Sequence, residues 1–192
     1  MKKLNIKKKK KTNKNSLVSL HALHVVLLLF ACMLLSCSKP SPENYFDRAV
    51  LNSNLIARFG EEELSEFVKR PAQAYNPGTK QMEKSTYVEA FQGNIDRVKD
   101  FQKKMLKLPV TDETSNMITA SKKFYEFVLD KYENDYVRIL KMKDDGRNMA
   151  AVQKAIREFD QKYKAEFIQL QGTLIQHGLE YATKHGIKVN VR

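Results

Sequence analysis

From Met149 to Leu174 the apolar side chains recur at steps of three and four: Met149, Val152, Ile156, Phe159, Tyr163, Phe167, Leu170, Leu174. That spacing is close to a heptad seam, so it demands a helix and forbids a strand. His177 and Tyr181 extend the same line. Gly186 stands where a C′ glycine closes a helix, with Ile187 folding back on the last turn. A chain that ends in so long an apolar stripe must bury it against other helices.

Upstream the same period returns. Tyr87, Phe91, Ile95, Val98, Met105 and Leu108 lie on one helical face. The spacing predicts a second helix over about 79–108, ended by Pro109. Ile118, Tyr125, Val128, Tyr132, Tyr136 and Ile139 predict a third, from the Thr111-Asp112-Glu113 start signal to about Met142. A first helix begins with Ser41 as N-cap and Pro42 at N1. It carries Phe46, Ala49, Val50, Leu55, Ile56 and Phe59 inward. Gly60 followed by Glu61-Glu62-Glu63 reads as a break with a fresh start, because acids favour a helix N-terminus. Leu64, Phe67 and Val68 continue it to Pro71. Residues 71–78, PAQAYNPG, read as a loop. Asp144-Asp145-Gly146 reads as a tight turn.

No segment alternates as a half-buried strand does, save the short tail 187–191. Glycine is scarce, at seven residues, which also favours helix. The fold expected is all-α: an antiparallel up-down bundle of about four long helices, or three long ones with a split first. It occupies residues 42–192.

The first 36 residues have a different character. Eight lysines and no acid fill Met1 to Lys14, and an apolar run, LVSLHALHVVLLLFACMLLSC, follows from Leu17 to Cys37. A basic start and an apolar middle define an export signal. The run is near the roughly 20 residues of a spanning helix, so length alone leaves an uncleaved anchor open. Leu34-Leu35-Ser36-Cys37 resembles the lipobox of bacterial lipoproteins. The resemblance implies that the Cys37 sulfur takes a diacylglyceryl group and that the chain is cut before it. Leu35 is larger than the residue usual there, and Cys32, behind Phe30-Ala31, fits the pattern less well. Residues 1–36 are then a signal peptide, and 37–41 a lipidated cysteine and tether. The destination implied is the cell envelope, with Ser38 compatible with the outer membrane, facing the periplasm or the cell surface.

Charge needs the same division. The chain has 34 basic and 22 acidic residues. The eight leader lysines supply most of the excess, so the remainder is near balance and gives no reason to expect nucleic acid. With Cys32 lost, Cys37 has no partner for a disulfide.

Few residues suggest chemistry. His177 on its stripe is a core-edge histidine or, alternatively, a haem or metal ligand in the bundle, with Met105, Met117 or Met149 as partner. No Glu-x-x-His pair accompanies it. Tyr125, Tyr132, Tyr136, Tyr163 and Tyr181 are core-edge rings or the wall of a ligand groove. Glu61-Glu62-Glu63 reads as a solvated helix start. No nucleophile motif, phosphate loop or His-Glu-x-x-His occurs. The expectation is a non-enzymatic interaction module without cofactor. Its partners would be membrane lipid, through acylated Cys37, and an envelope protein or cell-wall polymer. The alternative is a small-ligand, haem or metal-binding bundle that uses His177, Tyr132 and Tyr136.

Overall fold

The computed structural model describes residues 40–189. They form a mostly helical unit in which the helices pack together and a small β-hairpin projects. Cys37 and the whole leader lie outside the described residues.

Helix α1 (Pro42–Ala49) starts as its sequence requires. Ser41 is extended at φ −64° and ψ 159°, and its hydroxyl accepts from the Asn44 N–H at 3.3 Å. The helix is short. It tightens into a 3₁₀ segment, Leu51–Ile56, which turns Ile56 inward and leaves Leu55 65% exposed. The expected inward position of Leu55 is thereby corrected: the 3₁₀ period moves it off the apolar face. Helix α2 (Glu61–Lys69) begins at the break expected after Gly60 and buries Leu64 and Val68.

Residues 71–86 differ from expectation. The loop over 71–78 and the helix starting near Thr79 are replaced by strands β1 (Gln73–Asn76) and β2 (Gln81–Lys84). They pair antiparallel, with Gln73 opposite Lys84 and Tyr75 opposite Met82. The turn residues Pro77 and Gly78 were legible; the strands were not, because neither has a buried face to alternate against.

Helix α3 (Tyr87–Met105) opens with a capping box, Thr86 with Glu89, and buries Phe91, Ile95, Val98 and Met105. It starts eight residues later than expected because the hairpin takes up the preceding chain. Helix α4 (Ser115–Asp130) runs through a π-helical turn, Lys131–Tyr136, into α5 (Val137–Asp144). Asp144 then accepts from the Tyr87 and Val88 N–H groups at 2.7 and 3.1 Å. The end of α5 therefore lies at the start of α3, and the two run antiparallel.

Helix α6 (Met149–Lys184) is the longest element, capped by Asn148, whose side chain accepts from Ala151 N–H at 2.9 Å. Its 36 residues span about 54 Å at 1.5 Å each. It buries Val152, Ile156, Phe159, Phe167 and Leu174 of the expected stripe, while Met149 is 38% exposed. At its end Gly186 has φ +65°. Its N–H bonds Thr183 O at 3.3 Å, and the Ile187 N–H bonds Ala182 O at 2.8 Å. That is the Schellman closure the sequence predicts. Lys184 pairs with Glu113 at 2.5 Å, which brings the end of α6 to the start of α4.

The core is aromatic. Phe59 leads out of the 3₁₀ segment into the middle of the bundle and stacks on Phe167 at 4.6 Å. Tyr132, Tyr136, Phe159 and Phe127 surround it at centroid distances of 5.5 to 5.9 Å. Such pairs each add about 0.5–1.5 kcal/mol beyond burial. Among the described residues no helix is long and apolar enough to cross a membrane.

Candidate functional site

The most unusual chemistry lies where α2 meets the π-helical turn. A π turn carries one residue more than the α-helix would, and such turns collect at functional sites. This one sets Tyr132 and Tyr136 side by side, rings 4.7 Å apart. Both hydroxyls donate to one oxygen, Oε2 of Glu63, at 2.7 and 3.2 Å. The Glu63 carboxyl is thus held between two phenols at the foot of α2.

Burial raises the Glu63 pKa above the ordinary carboxylate value. The two tyrosine hydrogen bonds, and the charges of Arg58 and Arg97, oppose that rise without cancelling it. Burial likewise pushes both phenols upward, and the neighbouring Glu63 charge adds to the effect. Both tyrosines therefore stay protonated and act as donors. Leu55, Asn94, Arg97 and Phe101 border a cleft beside this carboxyl with room of about 40 Å³, the scale of a bound water. Chemically the arrangement can hold one proton or one negative charge at a fixed place.

The backbone beside it is equally determined. Gly60 has φ +103° and ψ −141°, a conformation open to glycine. Its N–H donates to the Tyr136 hydroxyl at 2.6 Å. As N-cap of α2 it has no side chain to offer, so the orphan donors of the helix need another acceptor. Asp160 of α6 supplies it: Oδ1 accepts from Glu61 N–H at 3.0 Å, while Oδ2 takes Lys164 at 3.2 Å. Asp160 is buried, and the charge of a carboxylate suits a helix N-terminus.

The sequence candidates separate into three places. Tyr132 and Tyr136 belong to this cluster. Tyr125 is buried elsewhere with no hydrogen-bond partner for its hydroxyl, and burial raises its pKa. His177 lies eighteen residues along α6 from Phe159, which touches Tyr136; that is about 27 Å of helix. There its Nδ1 is 3.1 Å from Glu180 Oε2. It lines a polar recess of about 120 Å³ with Glu113, Asn116, Tyr181 and Lys184. The structure brings His177 to Tyr181 and Met117 but not to Tyr132 and Tyr136. Among the described residues no three His, Cys, Asp or Glu side chains converge as metal ligands.

Glu63 and Asp160 were missed as interior groups. Glu63 stands four residues from both Phe59 and Phe67, so an acid in the middle of an apolar i±4 row was the available signal. Asp160 follows Ile156 by the same step. Glu62 is exposed and Glu61 half-buried; the third glutamate is the one whose carboxyl meets the tyrosine hydroxyls.

Compared with family models, curated proteins and solved structures, this chain is similar to none closely enough to count as a match.

Proposed function

We propose that the protein is an envelope lipoprotein, cut before Cys37 and held to the membrane by acyl groups on that residue. Its helical domain then serves as a non-enzymatic interaction module for another envelope protein. The observation that carries the second part is where the side chains are spent. Phe59, Phe167, Phe159, Tyr132 and Tyr136 fill the centre of the bundle ring against ring. Tyr132 and Tyr136 use their hydroxyls on Glu63. The interior is therefore committed to its own packing, and what remains for recognition is the outside.

The hairpin offers the best-defined outside feature. Tyr75 and Met82 face one another across the strands and are 60% and 56% exposed. Aromatic and methionine side chains are enriched at partner contacts, where each supplies a large apolar area. The hairpin sits at the α5–α6 end, since Tyr87 follows it and bonds Asp144.

A photo-crosslinker at Tyr75 in living cells tests the reading. The expected result is one discrete adduct with an envelope protein, absent when the probe is moved to Lys122 and lost in Met82→Ser. Equal, diffuse labelling from both positions would defeat the interaction reading. The alternative, a small-ligand, haem or metal-binding bundle, would use His177 apart from Tyr132 and Tyr136, with Met117 and Tyr181 as its neighbours in the recess at the end of α6.

A further inference from the structure

We propose that the end of the bundle where the chain enters is a membrane-docking face. Leu106 and Val110 rest in the headgroup layer there, and Lys103, Lys104 and Lys107 meet anionic lipid headgroups. The proposal rests on the lipid-anchor reading of Cys37 and names the surface that reading places at the bilayer.

Three observations carry it. The first is position. Tyr45, in the first turn of α1, donates its hydroxyl to the Pro109 carbonyl at 2.9 Å. The link between α3 and α4 therefore lies against the start of the domain. Cys37 precedes Pro40 by three residues, so its Cα stays within roughly 11 Å of that of Pro40. An acylated Cys37 cannot leave the headgroup layer, and the link cannot be far from it.

The second is presentation. Leu106 and Val110 are 54% and 65% exposed, while Met105 and Leu108 beside them are buried. Leu108 N–H bonds Met105 O at 2.9 Å, and Thr111 N–H bonds the Thr114 hydroxyl at 2.9 Å. The exposed side chains thus stand on a link pinned from both sides. Single exposed apolar residues are ordinary on any surface. A pinned pair beside the tether is what a bilayer can use.

The third is charge. Between Lys103 and Val110 there are three lysines and no acid. Lys104 touches Asp100 at 2.6 Å, so its charge is shared along α3. Of the acids that follow, Glu113 is paired with Lys184 at 2.5 Å and lies 3.6 Å from His185; Asp112 is exposed. Lysines flanking apolar side chains at an interface suit a membrane that carries anionic lipid.

The test uses the mature protein, purified from membranes after expression with its leader, with Val110→Cys. Its sulfur is the one free thiol left, because Cys37 carries lipid and Cys32 departs with the leader. An environment-sensitive fluorophore is attached there, or at Met82→Cys as the distant control. The protein is reconstituted in phosphatidylglycerol–phosphatidylethanolamine vesicles or in phosphatidylcholine alone. Lysines at an anionic surface favour the docked orientation by roughly tenfold. Emission from residue 110 should therefore shift to the blue and resist acrylamide in the anionic vesicles, while residue 82 does neither. Lys103→Gln with Lys107→Gln should return residue 110 to water. Protein that floats with the vesicles but leaves residue 110 as quenchable as residue 82 overturns docking and leaves the anchor standing. An equal shift in phosphatidylcholine overturns the part given to the lysines. Protein that does not float overturns the anchor and docking together.

Discussion

Gly60→Ala is the substitution on which the packing argument can be tried most sharply. The residue sits at φ +103°, and a methyl there would overlap Asp160 Oδ1. Two costs follow. Holding a non-glycine residue in that backbone region costs about 1–3 kcal/mol. Clearing the methyl requires Asp160 to rotate away, and it can do so only by releasing Glu61 N–H, its 3.0 Å partner. A lost hydrogen bond to a charged group adds about 1.5 kcal/mol or more. The sum is about 3–4 kcal/mol. At a urea slope of about 2 kcal/mol per molar, the midpoint should fall by roughly 1.5–2 M with the slope unchanged. Asp160→Ala removes the obstruction as well as the cap, so the double variant should cost less than the two singles added. The coupling expected between contacting residues is about 0.5–3 kcal/mol. A Gly60→Ala midpoint within about 0.3 M of the parent, or strict additivity in the cycle, would refute the claim that Gly60 and Asp160 are mutually fitted.

Other outcomes follow from the same geometry. Glu63→Gln should alter the pH profile of stability in one direction. The folded chain binds the Glu63 proton more tightly than the unfolded chain, so the contribution is complete below the ordinary value of 4.5 and fades as pH rises through the higher folded value. The parent should therefore lose ground to Glu63→Gln as urea midpoints are taken from acid toward neutral pH; a constant gap would contradict the burial of that carboxyl. Tyr136→Phe leaves the Gly60 N–H, now 2.6 Å from the hydroxyl, buried without an acceptor and should cost about 1–3 kcal/mol by the same assay. Gly178→Ala puts a methyl 2.7 and 2.8 Å from the Val50 methyls. It should destabilise by about 1–3 kcal/mol, and Val50→Ala should relieve part of that loss.

The parts of the fold that could be read beforehand are those whose signals are local. Ser41 before Pro42, the stripe of α6 and the Gly186–Ile187 closure each depend on residues within a few positions of one another. The Gly60 break is of the same kind. The hairpin was hidden because its strands, QAYN and QMEK, satisfy each other's backbone and bury no face; Tyr75 and Met82 both point to water. The π turn has no marker in KYENDY, since its extra residue is set by how α4 and α5 pack on their neighbours. The candidate tyrosines were visible as a stripe. Their partner was not, because Glu63 reaches them from a helix 69 residues upstream of Tyr132. Among three consecutive acids, only the four-residue steps to Phe59 and Phe67 set Glu63 apart.

The account as a whole turns on Cys37, and the mass of the mature N-terminal peptide tests it most directly. Isolated from native membranes, that peptide should begin at Cys37 and carry the mass of a diacylglyceryl group. A peptide that begins at Met1, or one that begins at Cys37 with a bare thiol, would contradict the lipid anchor and the membrane-facing orientation built on it.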